Sequence, residues 1–460
     1  MSNKNDKDWW EKPGLAIMYQ IEARPGWIWN RNYDKFNASM RDKDGNFKFN
    51  GPFCKMKEWV EFSKRVGVDY HIFEAKWHDG ICYWDTKYTD WKTPEDYVKV
   101  LSEESEKAGI PLMYYYSSIF DHNPQFDDIQ PLRSCTPSFI AMHHKNKEII
   151  AKESYETAKF VKTMFEISSK RNNIPYKQEF FDDVNFNEFT YNPLKYEIYM
   201  LKQLVELIEN HKTAGLWMDW YHFPNMKERS SHIVMYFMEK KYPEIILTFN
   251  QSIDYKLKYA HYLSGEAHDT KTAWQQGNRY RKLKKPWELV GPAAKAWDAP
   301  LTRSDPYEIF RMAAIVMANG GKFGFGMAAQ MNGELYPEPA QQLEHLGKWY
   351  KPRRLLFTEA VPMNYKGKKV PGIELNKKDF GTIGSIYGND NLIHIINFNG
   401  HKEELTLTFS QELWGNIEKI ILEPDLKELR FKKQENEIIL SLSKEDIDRT
   451  DTIIRICEGK

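Results

Sequence analysis

The chain has 460 residues, and its 65 Lys and Arg balance 65 Asp and Glu, so the formal net charge is zero. That length suits two or three domains, and the balance removes the chain-wide case for nucleic acid or an anionic membrane surface as a partner. No apolar run approaches the roughly 20 residues of a membrane span, and the polar start from Met1 to Glu11 lacks the apolar core of a secretory signal, so a cytoplasmic location is expected. Cys54, Cys82, Cys135 and Cys457 are too scattered for a disulfide framework or a CxxC zinc site. Aromatic residues reach 15%, with 15 Trp; flat rings stack on the apolar faces of sugars, and they equally fill large cores.

Helical and strand patterns alternate through the first 350 residues or so. Met56, Trp59, Val60 and Ser63 share one face of a helix over 55–66 that Gly67 stops, and Val68 to Glu74 follows as a buried strand. Thr93-Pro94-Glu95-Asp96 carries a cap, an N1 proline and two acids, and predicts a helix running to about Lys107 and ending at Gly109. Ile110 to Ser117 is the next strand. A helix near 147–170 is expected inside an insertion around 118–190. Asn192-Pro193 opens another helix, with Leu194, Ile198, Leu201, Val205 and Ile208 at helical spacing, and the strand Leu216 to Asp219 follows Gly215. A helix at about 229–241 leads to a strand from Ile245 to Phe249. Helix and strand repeated with short connections imply parallel strands covered by helices, and a (β/α)8-like TIM barrel is the simplest closure. After about residue 355 the segments Leu392–Asn399, Glu404–Phe409 and Ile417–Leu422 are short, β-rich and separated by turns. The expected organisation is a catalytic barrel over 1–355 and a C-terminal antiparallel β-sandwich over 356–460.

Barrel active sites lie at the carboxyl ends of the strands. Three such ends concentrate polar and aromatic groups: Glu74 to Asp85, Tyr114-Tyr115-Tyr116-Ser117, and Trp217-Met218-Asp219-Trp220. Asp219, a carboxylate between indoles at the end of an apolar strand, is a candidate reacting group; capping a turn or pairing with an arginine is the competing role. There is no Gly-x-Ser-x-Gly elbow, no Walker loop and no dinucleotide fingerprint. His143-His144 has no third ligand at characteristic spacing, so neither metal nor cofactor is expected. A carboxylate pair acting on a glycosidic bond suits the chain best, with a carbohydrate as its partner.

At these strand ends the chain resembles glycoside hydrolase family 29, typified by α-L-fucosidases. Lys76-Trp77-His78-Asp79-Gly80 is similar to the family's Lys-His-His-Asp-Gly, and Tyr83-Trp84-Asp85-Thr86 to its Leu-Trp-Asp-Ser. The helix Tyr199 to Leu207 matches the family's Gln-Leu-x-Glu-Leu helix, and Trp217-Met218-Asp219 its Trp-Phe-Asp strand end. Trp287-Glu288 with Trp297, Asn319-Gly320-Gly321, Asn332-Gly333 and Leu346 to Trp349 follow in family order. The resemblance covers most of 9–360 and implies a barrel with a C-terminal β-sandwich. The family's Gly-x-Phe-x-His-Trp-Gly strand is Gly14 to Gln20 here, with Met18 at the histidine and Tyr19 beside it. Trp77 replaces the first histidine of the His-His pair, and His78 keeps the second. In the family these histidines contact fucose hydroxyls.

The resemblance makes Asp219 the nucleophile of a retaining exo-α-glycosidase, acting on α-linked L-fucose or a related L-sugar by double displacement. Glu266, expected on a loop after the next barrel strand, is the favoured acid/base, with Glu288 and Asp269 as rivals. Met18, Tyr19, Lys76, Trp77, His78, Trp84, Tyr116 and Trp217 are the candidate substrate-binding residues. Trp84, Trp217 and Tyr116 either face the sugar or pack at the barrel rim. Met18 and Trp77 leave open the same mechanism on a different or substituted sugar, and a carbohydrate-binding homologue without turnover is the reading from another class.

Overall fold

The computed structural model describes residues 9–21, 55–77, 80–93, 95–118, 123, 194–219, 238, 240–250, 252–255, 260–295, 297, 303–330 and 333–459. His78, His143-His144, Cys54, Cys135, the Asn192-Pro193 cap, Asn332 and the expected helix near 147–170 lie outside these residues.

Eight parallel strands form the N-terminal sheet: β1 (Gly14–Ile21), β2 (Tyr70–Lys76), β3 (Leu112–Ser117), β4 (Gly215–Asp219), β5 (Ile246–Phe249), β6 (Leu263–Glu266), β7 (Trp287–Pro292) and β8 (Lys322–Ala329). Their order is β5-β4-β3-β2-β1-β8-β7-β6. The two ends of that order are joined by the His261 N–H to the Leu247 carbonyl at 2.7 Å and by the Thr248 hydroxyl to the Tyr262 carbonyl at 2.8 Å. The sheet is therefore a nearly closed barrel. Around it lie α1 (Met56–Val66), α2 (Tyr97–Ala108), α3 (Leu194–Asn210), α4 (Ser252–Tyr255), α5 (Thr270–Tyr280), α6 (Glu308–Ala318), α7 (Pro337–Tyr350) and α8 (Arg354–Thr358).

Local chemistry sets the element ends. Gly67 and Gly109 terminate α1 and α2 at φ of 84° and 68°, a region that glycine enters without steric cost. The start of α2 differs from the expectation. Asp96 is the cap, accepting from the Lys99 N–H at 2.8 Å, whereas the Thr93 hydroxyl is taken by the carbonyls of Cys82 and Glu95. A carboxylate competes better than a hydroxyl for the free amides of the first turn.

Alternation of side chains along the strands separates two sets of residues. Ala16, Met18, Tyr70, Ile72, Met113, Tyr115, Trp217, Ile246, Tyr262 and Val290 form one buried cluster inside the barrel, while Leu15, Ile17, Tyr19, Phe73, Tyr114 and Tyr116 pack with the helices. The alternation breaks once, in β2. Glu74 sits opposite Tyr115 and Lys76 opposite Tyr116, so Ala75 is an extra residue in the β2–β3 ladder. That bulge sends Lys76 outward to the helix side and Trp77 inward.

Ten short strands follow: β9 (Val361–Pro362), β10 (Ile373–Leu375), β11 (Phe380–Tyr387), β12 (Asp390–Asn397), β13 (Leu405–Ser410), β14 (Ile417–Glu423), β15 (Lys427–Leu429), β16 (Phe431–Lys433), β17 (Glu437–Leu442) and β18 (Asp451–Glu458). They build antiparallel sheets of six strands, β15-β14-β18-β12-β11-β9, and four strands, β10-β13-β17-β16. One face of the six-stranded sheet supplies Ile393, Ile395, Ile454 and Ile456 to the sandwich core. Ile383, Leu392, Ile396 and Ile453 belong to the barrel's outer core. Coverage on both faces explains the near-continuous apolar run Leu392-Ile393-His394-Ile395-Ile396. His394 is fully buried, bonded to Asp451 at 2.8 Å and stacked against Phe357 of α8 at 5.2 Å.

Gly347, inside α7, lets that helix approach α1 so closely that a Cβ would stand 2.3 Å from the Val66 carbonyl oxygen. Gly→Ala inside a helix ordinarily stabilises by about 1 kcal/mol, but overpacking costs about 1–3 kcal/mol. Gly347→Ala is therefore expected to lower stability by roughly 1–2 kcal/mol, read as a lower urea midpoint at unchanged m-value; a raised midpoint would show that the close approach does not hold in solution.

Candidate active site

The carboxyl ends of the strands gather inward-facing polar side chains from β1 through β6. Asp219 is the last residue of β4 and is 7% exposed. The Tyr115 phenol donates to its Oδ2, and the Asn250 amide donates to its Oδ1 at 2.8 Å. Asn250 follows β5 directly, and its N–H bonds the Met218 carbonyl at 2.8 Å, which fixes its backbone beside β4. The same Asn250 Nδ2 donates to Glu266 Oε1 at 2.6 Å. Two bonds on one nitrogen cap the separation of the facing Asp219 and Glu266 oxygens at about 5.4 Å.

Glu266 is the last residue of β6, with β5 between it and Asp219. It stands on a strand end two strands along, not on a loop after the adjacent strand as expected from the sequence. Its other oxygen meets His268 Nε2 at 2.9 Å. The bond from Glu266 raises the pKa of His268 above its ordinary value, against the opposing push of burial. Arg303 fixes this loop, donating to the His268 carbonyl at 2.9 Å, the Pro292 carbonyl at 3.0 Å and Glu308 at 2.8 Å. The Trp297 ring lies edge-on to His268, 5.9 Å between centroids, and against Gly326, where a Cβ would come within 2.6 Å of it.

The rival acids occupy other places. Asp269 caps α5, accepting from the Thr272 N–H at 2.6 Å; burial opposes, but that bond holds its carboxyl below the usual range. Glu288 is fully buried inside the barrel. Its carboxylate accepts from the Trp217 indole at 2.8 Å, the Ser264 hydroxyl at 2.9 Å, and the phenols of Tyr262 at 3.3 Å and Tyr70. Four donors on a group with no exposed surface leave it no route to a leaving group.

The predicted substrate-binding residues divide in two. Met18, Trp77 and Trp217 line the barrel interior with Tyr115, whose ring stacks on Trp217 at 5.4 Å. Four others face the helices, which for Trp84 and Tyr116 is the packing alternative. Tyr19 donates to the Trp59 carbonyl at 2.7 Å, Tyr116 to Gln203 at 2.7 Å, and the Trp84 indole to Glu206 at 2.9 Å. The Lys76 ammonium lies 4.2 Å from the centroid of the Tyr116 ring, carried outward by the bulge at Ala75. Sequence reasoning missed Asn250 altogether. A polar residue closing the apolar strand Ile246-Leu247-Thr248-Phe249 was its only signal.

A sequence profile described as Alpha-L-fucosidase matches residues 10–353. The chain belongs to the alpha-L-fucosidase family. Its similarity to Alpha-L-fucosidase 1 of Arabidopsis thaliana is 34% identity over 77 residues, 15% of either chain, so the matched stretch spans a small part of that relative. Alpha-fucosidase of Thermotoga maritima, solved in complex with fucose, superposes with a TM-score of 0.63 at 15% identity, covering 98% of this chain and 96% of that one. Alpha-L-fucosidase isoenzyme 1 from Paenibacillus thiaminolyticus gives 0.64 at 16% identity and 99% of both chains. At such identities these structures bear on the fold: a barrel with antiparallel sheets after it.

Two expectations follow for this family member. Glu288→Gln turns an amide N–H2 towards groups that are themselves donors. Bonds to charged groups are worth about 1.5–3 kcal/mol, so stability should fall by at least about 2 kcal/mol in urea unfolding, and unchanged stability would contradict the network. His268, protonated more readily when folded, contributes stability that is fully present below its unfolded pKa of about 6.5 and lost as pH rises through the raised folded value. The Tm gap between wild type and His268→Gln should therefore be larger at pH 5.5 than at pH 9; a gap that widens with pH would reverse the sign.

Proposed function

We propose that the protein is a retaining, exo-acting α-glycosidase that hydrolyses α-linked L-fucose or a related L-sugar. The observation that carries the proposal is the Asn250 amide joining Asp219 and Glu266, with facing oxygens at most about 5.4 Å apart. Retaining glycosidases place their carboxyl groups roughly 5–5.5 Å apart, and inverting ones need about 6.5–9.5 Å to admit a water.

In the first step an Asp219 oxygen attacks the anomeric carbon while the bond to the leaving oxygen breaks, and Glu266 gives that oxygen its proton. In the second step Glu266 takes a proton from water, whose oxygen attacks the same carbon and frees Asp219. Tyr115 and Asn250 orient the nucleophile through both steps. Met18 and Trp77 support a related or substituted sugar, since apolar contacts discriminate between similar groups by only about 1–3 kcal/mol.

The test uses aryl α-L-glycosides. Asp219→Asn should keep the fold and lose at least about a thousandfold in kcat. Glu266→Ala should still form the covalent intermediate from a good phenolic leaving group, and azide should rescue its turnover as a glycosyl azide. Azide rescue in Asp269→Ala instead would move the acid/base role there. A 2-deoxy-2-fluoro glycosyl donor should label Asp219; an unlabelled protein that still binds sugar would mean a binding homologue.

A further inference from the structure

Gln20 and Glu74 lie inside the barrel near the carboxyl ends of β1 and β2, on the same alternation as Met18 and Ile72. The described functional pair does not use them. Gln20 is 9% exposed and Glu74 fully buried, and Gln20 Nε2 donates to Glu74 Oε1 at 2.9 Å. That bond turns the amide oxygen of Gln20 away from Glu74. Among the described residues the oxygen meets no hydrogen-bond donor. It lies beside Gly326, 3.4 Å from where a Cβ there would stand, and that glycine is also the residue against which the Trp297 ring packs. Glu74 is the register partner of Tyr115, whose phenol bonds Asp219. The unpaired acceptor thus belongs to the same ring of strand ends as the reacting carboxylates.

A buried carbonyl oxygen without a donor carries the full cost of its lost hydration. A ligand that supplies the donor removes that cost, and here the oxygen lies at the ring of strand ends where a ligand would bind. Burial makes such a group selective, because a ligand lacking its donor leaves the oxygen unsatisfied. We propose that Gln20 is a specificity-determining residue of this site, its Oε1 accepting a hydroxyl of the bound sugar. Glu74 is its positioning residue, holding the amide so that oxygen and not N–H2 faces the ligand. The inference rests on the carbohydrate reading above and names the contact that selects the sugar.

The experiment measures kcat/KM on an aryl α-L-fucoside and its 2-, 3- and 4-deoxy analogues for wild type, Gln20→Met and Glu74→Gln. Binding of L-fucose, L-galactose and the matching deoxy sugars is followed by calorimetry. Gln20→Met keeps the volume and removes the acceptor, which protects the fold; Glu74→Gln lets the amide turn over. Both variants should lose ten- to a hundredfold on the intact sugar. Both should match wild type within about threefold on one deoxy analogue, the one lacking the hydroxyl that Gln20 accepts. Equal losses on every analogue, or none on any, would overturn the proposal. If the wild type cleaves no glycoside but its binding shows the same Gln20-dependent pattern, the glycosidase reading falls and this one stands. If no sugar binds, or binding ignores Gln20, this inference falls irrespective of turnover.

Discussion

A carboxylate buried in the middle of a barrel must be fully bonded, and the way Glu288 meets that demand organises the site above it. Its donors come from β2 (Tyr70), β4 (Trp217) and β6 (Ser264), and from Tyr262 just before β6. A charge without surface would otherwise be prohibitive. Lys322 is buried close by, its ammonium 4.3 Å from the centroid of the Tyr262 ring; burial pushes its pKa down to about 8 against the opposing pull of Glu288. The bond that matters most is the one from Trp217. It fixes the indole on which Tyr115 stacks, and the Tyr115 phenol then orients Asp219. Asp219 is thus held from below, through Trp217 and Tyr115, by the buried carboxylate of Glu288.

Most of the fold was legible because parallel strands covered by helices leave a strong trace. Each apolar stretch ends near its strand, and Gly67 and Gly109 stop their helices where their chemistry requires. Asp219 was legible for a related reason. An acid at the end of Gly215-Leu216-Trp217-Met218 serves no packing role there, and its inward direction follows from that of Trp217. The β2 bulge was not legible. Ala75 carries no turn signal, yet it exchanges the faces of Lys76 and Trp77, so that one predicted contact goes to the helices and the other to the interior. In Tyr114-Tyr115-Tyr116 the three side chains are chemically identical, and only the register with β4 shows that the middle one reaches Asp219.

Glu266 and Asn250 illustrate a different limit. Their pairing depends on how the barrel closes between β5 and β6, through single bonds rather than a regular ladder. No local pattern reports a contact made by closure, so sequence spacing alone puts Glu266 one strand too near and leaves Asn250 unmarked. Gln20 and Glu74 are polar residues in largely apolar strands. Their partnership across β1 and β2 needed the register of Met18 with Ile72.

The donors that join these carboxylates are amides, and the choice has a chemical reason. Asn250 bonds Asp219 and Glu266, and Gln20 bonds Glu74, in each case without adding charge. A lysine or arginine in the place of Asn250 would favour the ionised form of every carboxyl it touched. That would suit a nucleophile but oppose a general acid, which must reach the substrate with its proton in place. An amide supplies direction without adding a net charge, so its pull on the carboxyl groups is weaker than that of a cation. His268 is the titratable base on Glu266, and it is half-exposed, where solvent weakens its field. The site therefore fixes the positions of its carboxylates with neutral groups and keeps the imidazole of His268 at its rim.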